Sequence, residues 1–290
     1  MSGADVLLWG VLLPAAVAAL AWVAGRRPWL AERARGGGPT VRPFEAQAVA
    51  LAFLLGYAGQ LGLPRAPWGE VPPAAQDWLV WIVLAAGVAY ALRAGRLRPL
   101  LSRPVLAAAA LALLTRAMLR HHWDLPQAIG WLTGLWLGLL ACQACADAVA
   151  RRAPAAAALV WVLTGFALAL CAGLSGSAKL AQAAAPVCAA LCTLWVLDSR
   201  SAPTAPAAGA LALSVLALFG LGLIAFLYSS LPGREALLLG SAPFAALGAS
   251  FLWAGEGRRQ VLVPLAAALI PLSLAVLSAL GGVRSDPYGY

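Results

Sequence analysis

Charged residues are scarce in this chain, and their scarcity excludes a soluble protein. Asp, Glu, Lys and Arg make up 11% of the 290 residues, whereas 62% are hydrophobic and the mean hydropathy is +0.85. A soluble surface usually carries about 25% charged residues. Most of the surface must therefore face lipid, and the length allows roughly ten apolar helices of about 20 residues each.

Histidine is almost absent, and cysteine occurs in a pattern that does not suggest disulfides. The two histidines, His121 and His122, are adjacent. Neighbouring residues on a helix point about 100° apart, so this pair cannot easily ligate one metal ion. The five cysteines all fall inside apolar segments: Cys142, Cys145, Cys171, Cys188 and Cys192. An odd number at membrane depth argues against a disulfide framework, and we expect neither a metal nor a cofactor.

Carboxylates are missing from the middle of every apolar run. Proton- or sodium-coupled transporters usually place a carboxylate near the membrane midplane. The motifs of ATPases, dinucleotide-binding domains and zinc proteases are missing as well. The sequence therefore disfavours a coupled transporter, predicts no ATPase or metallohydrolase, and favours a protein that is not an enzyme.

The apolar runs predict an all-α, polytopic membrane bundle of about ten transmembrane helices that forms a single domain over 1–290. The predicted helices are 5–25, 45–63, 78–95, 104–122, 127–149, 154–174, 178–197, 207–229, 236–254 and 260–282. A division into five-plus-five halves, 1–150 and 151–290, would resemble the inverted repeats of many transporters. It has little support, because Pro14 in the first predicted helix has no counterpart in the sixth.

Basic residues are distributed unevenly among the connections. Fourteen of the twenty lie in the odd-numbered loops, and the positive-inside rule assigns those loops to the cytoplasm. We therefore predict a multi-pass protein of the inner (cytoplasmic) membrane with both termini outside. Arginines that face anionic headgroups explain the net charge of +9 better than nucleic acid does. The expected partners are the lipid bilayer and, for a subunit, another membrane protein.

A stripe of small residues runs along the fifth predicted helix. Gly130, Gly134 and Gly138 are followed at the same spacing by Cys142 and Ala146. Small residues four apart let a second helix approach closely. We favour a packing contact inside the monomer, with an oligomer contact as the alternative.

The richest polar run closes the fourth predicted helix, from Thr115 to Asp124. Arg116 and Arg120 are four residues apart and share one helix face. One interpretation is an outward-facing anion site. The favoured one is that Arg116 snorkels to the interface and Arg120 pairs with Asp124. With polar residues from the start of the seventh predicted helix, the candidate anion or headgroup cluster is Arg116, Arg120, His121, His122, Asp124, Lys179 and Gln182.

Three classes of function are compatible with these features. A non-catalytic membrane subunit or scaffold is favoured, because no complete catalytic set is visible. The alternative is an uncoupled permease for a small anionic solute or lipid headgroup, which uses an outer-side basic cavity. A membrane enzyme acting on a lipid-linked substrate is the third class. The permease requires Arg116 and Lys179 to line one pocket, and the enzyme requires His121 or His122 to face a cavity beside Asp124.

Overall fold

The part of the chain that the structure describes is helical and contains no strand. The computed structural model describes residues 3–34, 43–69, 73–92, 99–201, 208–252 and 258–285. Each helical segment in these ranges overlaps one of the predicted helices. The first segment, α1, joins Gly3–Leu7, a π-helical turn at Leu8–Leu12 and Leu13–Ala34. The others are α2 (Pro43–Leu61), α3 (Ala75–Leu92), α4 (Pro99–Leu114, continued by Arg116–His121), α5 (Leu125–Arg152), α6 (Pro154–Leu174), α7 (Ala178–Ser201), α8 (Ala208–Tyr228), α9 (Gly233–Leu252) and α10 (Arg258–Ser285).

Seven of these segments are long and apolar enough to cross a membrane, by length and composition: α1 and α5 to α10. The chain is thus a helical, multi-pass membrane protein. The apolar parts of α3 and α4 are shorter, over Ala75–Tyr90 and Arg103–Leu114, and α2 carries the buried polar residues Glu45 and Gln60. The count of ten spans, the side that each terminus faces and the division into halves stay predictions.

Helix α8 forms the centre of the bundle. It contacts α2, α3 and α7 on one flank and α5 and α6 on the other. Its leucines are buried because neighbouring helices cover it on several sides: Leu211, Leu213, Leu216, Leu218 and Leu221. Helices α1, α2 and α7 pack together beside it, and α9 and α10 pack against each other and against α6. The site described below lies at one end of α8.

Side-chain contacts show which helix ends lie together. At one end, which we call the distal end, they join Trp22 to Asp198, Arg103 to Asp147 and Gln260 to Arg152. At the other end, which we call the cleft end, they join Tyr57 to Asp77, Tyr228 to Leu114 and Arg234 to Ser278. The first turns of α1 and the last turns of α10 both lie at the cleft end.

The π-helical turn of α1 is held by polar groups from two other helices. Its ring closes where the Leu13 N–H donates to the Leu8 carbonyl. The amide of Gln60, in the orientation that satisfies both neighbours, accepts from the Gly10 N–H at 2.9 Å and donates to the Gln182 carbonyl at 2.9 Å. An irregular backbone at membrane depth needs such partners, because lipid offers none. Gln60 thereby ties α1, α2 and α7 together.

The glycine stripe of α5, for which we favoured an internal packing contact, is crowded at none of its three glycines. A Cβ on Gly130 or Gly134 would meet no atom within 4 Å, and one on Gly138 would lie 3.8 Å from the Phe219 ring. The side chain of Phe219, from α8, is the neighbour nearest to Gly138. Among the described residues, no helix makes a close approach at Gly130 and Gly134, and the role of the stripe in helix packing stays a prediction.

The tight helix contacts occur at other glycines. A Cβ on Gly56 would lie 2.3 Å from Cγ and 2.6 Å from Cβ of Pro186, and 3.1 Å from the Trp9 carbonyl oxygen. The proline ring and the backbone carbonyl are rigid, so neither can move away easily. The absence of a side chain at Gly56 therefore allows α2 to approach α1 and α7.

We expect Gly56→Ala to destabilise the bundle by about 1–3 kcal/mol, the usual effect of adding a methylene to a filled core. The control is Gly248→Ala, because a Cβ at Gly248 would meet no atom within 4 Å. Thermal unfolding in detergent, followed by the monodisperse size-exclusion peak, should show a lower midpoint for the first variant alone. Equal midpoints would contradict the close packing of α2 on α7.

Candidate functional site

Four helix ends surround an open cavity of about 790 Å³ at the cleft end. The start of α3, the end of α4, the start of α7 and the end of α8 form its walls. Its charged lining consists of Arg116, Arg120 and Lys179, with His121 beside them, and no Asp or Glu is among the described residues that line it. We call this cavity the cationic cleft.

A break in α4 sets the position of the two arginines. Thr115 is fully buried and has φ −94° and ψ 6°, which interrupts the helix, while its Oγ1 donates to the Leu111 carbonyl at 2.8 Å. The chain then forms one further helical turn, Arg116–His121. Arg116 and Arg120 of this turn line the cleft.

Lys179 is placed by the tight turn between α6 and α7. Gly176 has a φ of +86°, and its N–H donates to the Gly173 carbonyl at 3.1 Å. The Ser177 N–H donates to the Ala172 carbonyl at 2.9 Å. These bonds are typical of a helix end that is closed by a left-handed glycine. The turn is short enough to bring Lys179, in the first turn of α7, to the cleft formed with α3, α4 and α8.

The three cations of the cleft lack ionic partners within the structure's described ranges. The ion pairs found there are Arg103 with Asp147 and Arg234 with Glu235. The expected pair of Arg120 with Asp124 does not form. Instead, the Asp124 carboxylate caps α5 by accepting from the Gln127 N–H at 2.9 Å. An N-cap position stabilises a carboxylate through free backbone N–H groups.

The cleft thus brings together Arg116, Arg120, His121 and Lys179 from the candidate cluster. His122, Asp124 and Gln182 do not line it. Gln182 contributes its backbone carbonyl to Gln60, away from the cations. The role of the cluster as an anion site stays a prediction.

A buried carboxylate was missed from the sequence, because the ninth helix was predicted to begin at 236 and begins at Gly233. Glu235 is fully buried in its first turn. Its Oε1 accepts from Arg234 Nε at 2.9 Å and from the Ser278 hydroxyl, which ties α9 to α10. Reading Pro232-Gly233 as a helix start would have placed Glu235 inside the helix.

A second cavity, of about 710 Å³, lies between α5, α6, α8 and α9. Its lining is mostly leucine, phenylalanine, tryptophan and glycine. Gly134 and Gly138 of the small-residue stripe form part of its wall, whereas Gly130 does not. We call it the apolar cavity.

A scan against protein-family models found no match for this chain, and searches of curated proteins and of solved structures found no similar protein. The function is therefore inferred from the geometry of the described residues.

We expect Arg116→Ala to leave membrane insertion and the size-exclusion profile intact, because it removes an exposed charge that forms no ion pair. The comparison variant is Arg103→Ala, which leaves the half-buried Asp147 carboxylate without its cation. Removing one member of a buried pair is destabilising, so this variant should unfold at a lower temperature. An aggregated Arg116→Ala protein would show that Arg116 belongs to the structural core.

Proposed function

We propose that this membrane protein binds a phosphate-bearing anion in the cationic cleft, on the outer side of the membrane. The observation that carries the proposal is that Arg116, Arg120 and Lys179 line one cavity and that no carboxylate is among the described residues of its lining. Like charges collected in a cleft with low-dielectric walls attract counter-ions strongly. The ligand is a small anionic solute or the headgroup of an anionic lipid, as in the permease hypothesis.

The residue types favour phosphate. A guanidinium presents several N–H donors in a planar fork that matches phosphate oxygens, and an ammonium adds a compact positive charge. His121 supplies a further donor at the same wall. The apolar side chains of Trp78, Leu114 and Ile224 also line the cleft, and they limit the water that would weaken these contacts.

The outward direction of the cleft follows from the positive-inside rule. Exposed arginines at the distal end include Arg151, Arg152, Arg258 and Arg259. If that end faces the cytoplasm, then the cleft and both termini face outward. Ten crossings of the inner membrane are part of this proposal.

The enzyme hypothesis has less support than anion binding. His121 lines the cleft, but Asp124 caps α5 and does not line it. An acid–base pair would need both groups within reach of one substrate.

A non-catalytic membrane subunit is the second candidate, and it rests on a different observation. Gly130 and Gly134 are exposed on α5, with no atom near the position of a Cβ. A small-residue stripe of this kind accepts a helix from another protein. Gentle extraction followed by native mass spectrometry would detect a stoichiometric partner.

We expect Arg116→Gln and Lys179→Gln each to weaken binding of inorganic phosphate and of short-chain phosphatidic acid by roughly tenfold, which corresponds to about 1.4 kcal/mol. The control is Arg65→Gln, because Arg65 is exposed at the same end but does not line the cleft. Isothermal titration calorimetry in a neutral detergent measures both affinities.

The two ligands distinguish the sources of the anion. If the protein binds both ligands, a free phosphate is sufficient for binding in the cleft. If it binds phosphatidic acid alone, the ligand of the cleft is the headgroup of a lipid. Equal losses in the Arg65 variant would show non-specific charge attraction, and the absence of binding to either ligand would overturn the proposal. Raising the salt concentration should weaken genuine binding, because exposed charges are screened within about 10 Å at 0.1 M.

Labelling of single cysteines tests the orientation. Gln127 and Ser199 are both exposed, at the cleft end and the distal end respectively. In intact cells a membrane-impermeant maleimide should react with Gln127→Cys, and it should reach Ser199→Cys only after permeabilisation. The unsubstituted chain gives the baseline for its own five cysteines. The reverse pattern would invert the orientation, and labelling of both from outside would contradict the span count.

A further inference from the structure

The apolar cavity offers few hydrogen bonds to a ligand, although a threonine, a serine, a cysteine and two tryptophans line it. The Thr164 hydroxyl donates to the Val160 carbonyl at 2.8 Å, and the Ser241 hydroxyl donates to the Leu238 carbonyl at 2.8 Å. Each hydroxyl proton is used within its own helix, and the remaining polar groups are the weakly polar thiol of Cys142 and the single N–H of each indole, Trp131 and Trp161. A cavity with such walls suits a hydrocarbon and disfavours water, which needs several polar partners.

The position of the cavity makes lipid available to it. Its four walls, α5, α6, α8 and α9, all belong to the helices that are long and apolar enough to cross a membrane. Its volume, about 710 Å³, falls within the range of roughly 300–1,000 Å³ that ligand pockets occupy. Glycines keep it open, since a Cβ on Gly134 or Gly240 would meet no atom within 4 Å.

The last turns of α8 separate the apolar cavity from the cationic cleft. Ile224 and Tyr228 line the cleft, whereas Leu223 and Phe226 line the cavity. A single helix therefore has the cationic cleft on one face and the apolar cavity on another. A ligand with a charged headgroup and a hydrocarbon chain would have to pass around the end of this helix to occupy both.

A series of aromatic ring contacts runs from the segment next to the cleft to the wall of the apolar cavity. Two residues beyond His121 of the cleft, Trp123 stacks on Trp131 with ring centroids 5.9 Å apart and planes within 7°. Trp131 lines the apolar cavity and lies 6.0 Å from Phe226. Indole rings are favoured at the boundary between headgroups and hydrocarbon, which is where an amphiphile changes from polar to apolar.

We propose that the ligand of the cationic cleft is an anionic lipid, and that a hydrocarbon chain of this lipid occupies the apolar cavity. This proposal rests on the proposed function and adds the substrate class to it. The charge of the cleft matches a phosphate headgroup, and the unreactive walls of the cavity match an acyl or prenyl chain. The source of the lipid is the outer leaflet, because the cleft opens at that side in the proposed orientation.

The test fills the cavity without altering the cleft. Gly134→Leu places a side chain in the cavity, where a Cβ meets no atom within 4 Å, and Gly130→Leu is the matched control one turn away, equally uncrowded but outside the lining. A second matched pair on α9 is Gly240→Leu, which lines the cavity, and Gly248→Leu, which does not. Two pairs on different helices protect the test against a folding defect in one variant.

Each protein is reconstituted in nanodiscs of phosphatidylcholine with a small fraction of phosphatidic acid, and native mass spectrometry measures the phosphatidic acid that each chain retains. We expect the two cavity-filling variants to lower its affinity by about tenfold, equivalent to about 1.4 kcal/mol, while the two controls retain it. Binding of inorganic phosphate should be the same in all four variants.

The outcomes separate this proposal from the proposed function. If Arg116→Gln abolishes retention of phosphatidic acid but Gly134→Leu and Gly240→Leu do not change it, the cleft binds the headgroup and the cavity holds no chain. If none of the variants changes retention, both proposals fail. If Gly130→Leu and Gly134→Leu instead disrupt a dimer equally, the stripe is a helix contact and the lipid proposal is overturned.

Discussion

Polar groups inside a bilayer have no water to bind, and the arrangement of this bundle depends on the partners that backbone carbonyls and neighbouring helices supply to them. The hydroxyls of Thr115, Thr164 and Ser214 donate to carbonyls of their own helices at 2.8–2.9 Å. Where the backbone of α1 departs from regular geometry, the Gln60 amide supplies the partner from another helix. Interior surfaces are consequently apolar, and helices approach each other through glycine and alanine.

The same constraint determines which charged side chains are buried in ion pairs and which lie at helix ends. Arg103 at the distal end is half-buried and paired with Asp147, and Glu235 is fully buried and bonded to Arg234. Arg116 and Lys179 have no carboxylate partner among the described residues, and they lie at helix ends, where headgroups and water can solvate a charge. Three cations from different parts of the chain therefore meet at the cationic cleft, next to a cavity whose lining is mostly apolar.

The helices could be predicted from the sequence because each apolar run carries its own signal. The predicted ranges 154–174 and 178–197 correspond to Pro154–Leu174 and Ala178–Ser201. The interruption of α4 at Thr115 was not predictable, since a buried threonine that bonds its own helix looks the same in the sequence as one inside a regular helix. The early start of α9, and with it the burial of Glu235, was missed because charged residues at a helix end resemble a loop.

The sequence by itself determined the environment, the helical class and the list of candidate cations, because hydropathy and charge are properties of single residues and short windows. The tertiary structure decided which of those cations meet. Arg116 and Lys179 are 63 positions apart, and only the packing of α3, α4, α7 and α8 places them around one cleft. The tertiary structure likewise places Gly134 at the wall of a cavity. The sequence could not show this, because the spacing of small residues does not specify which neighbour faces them.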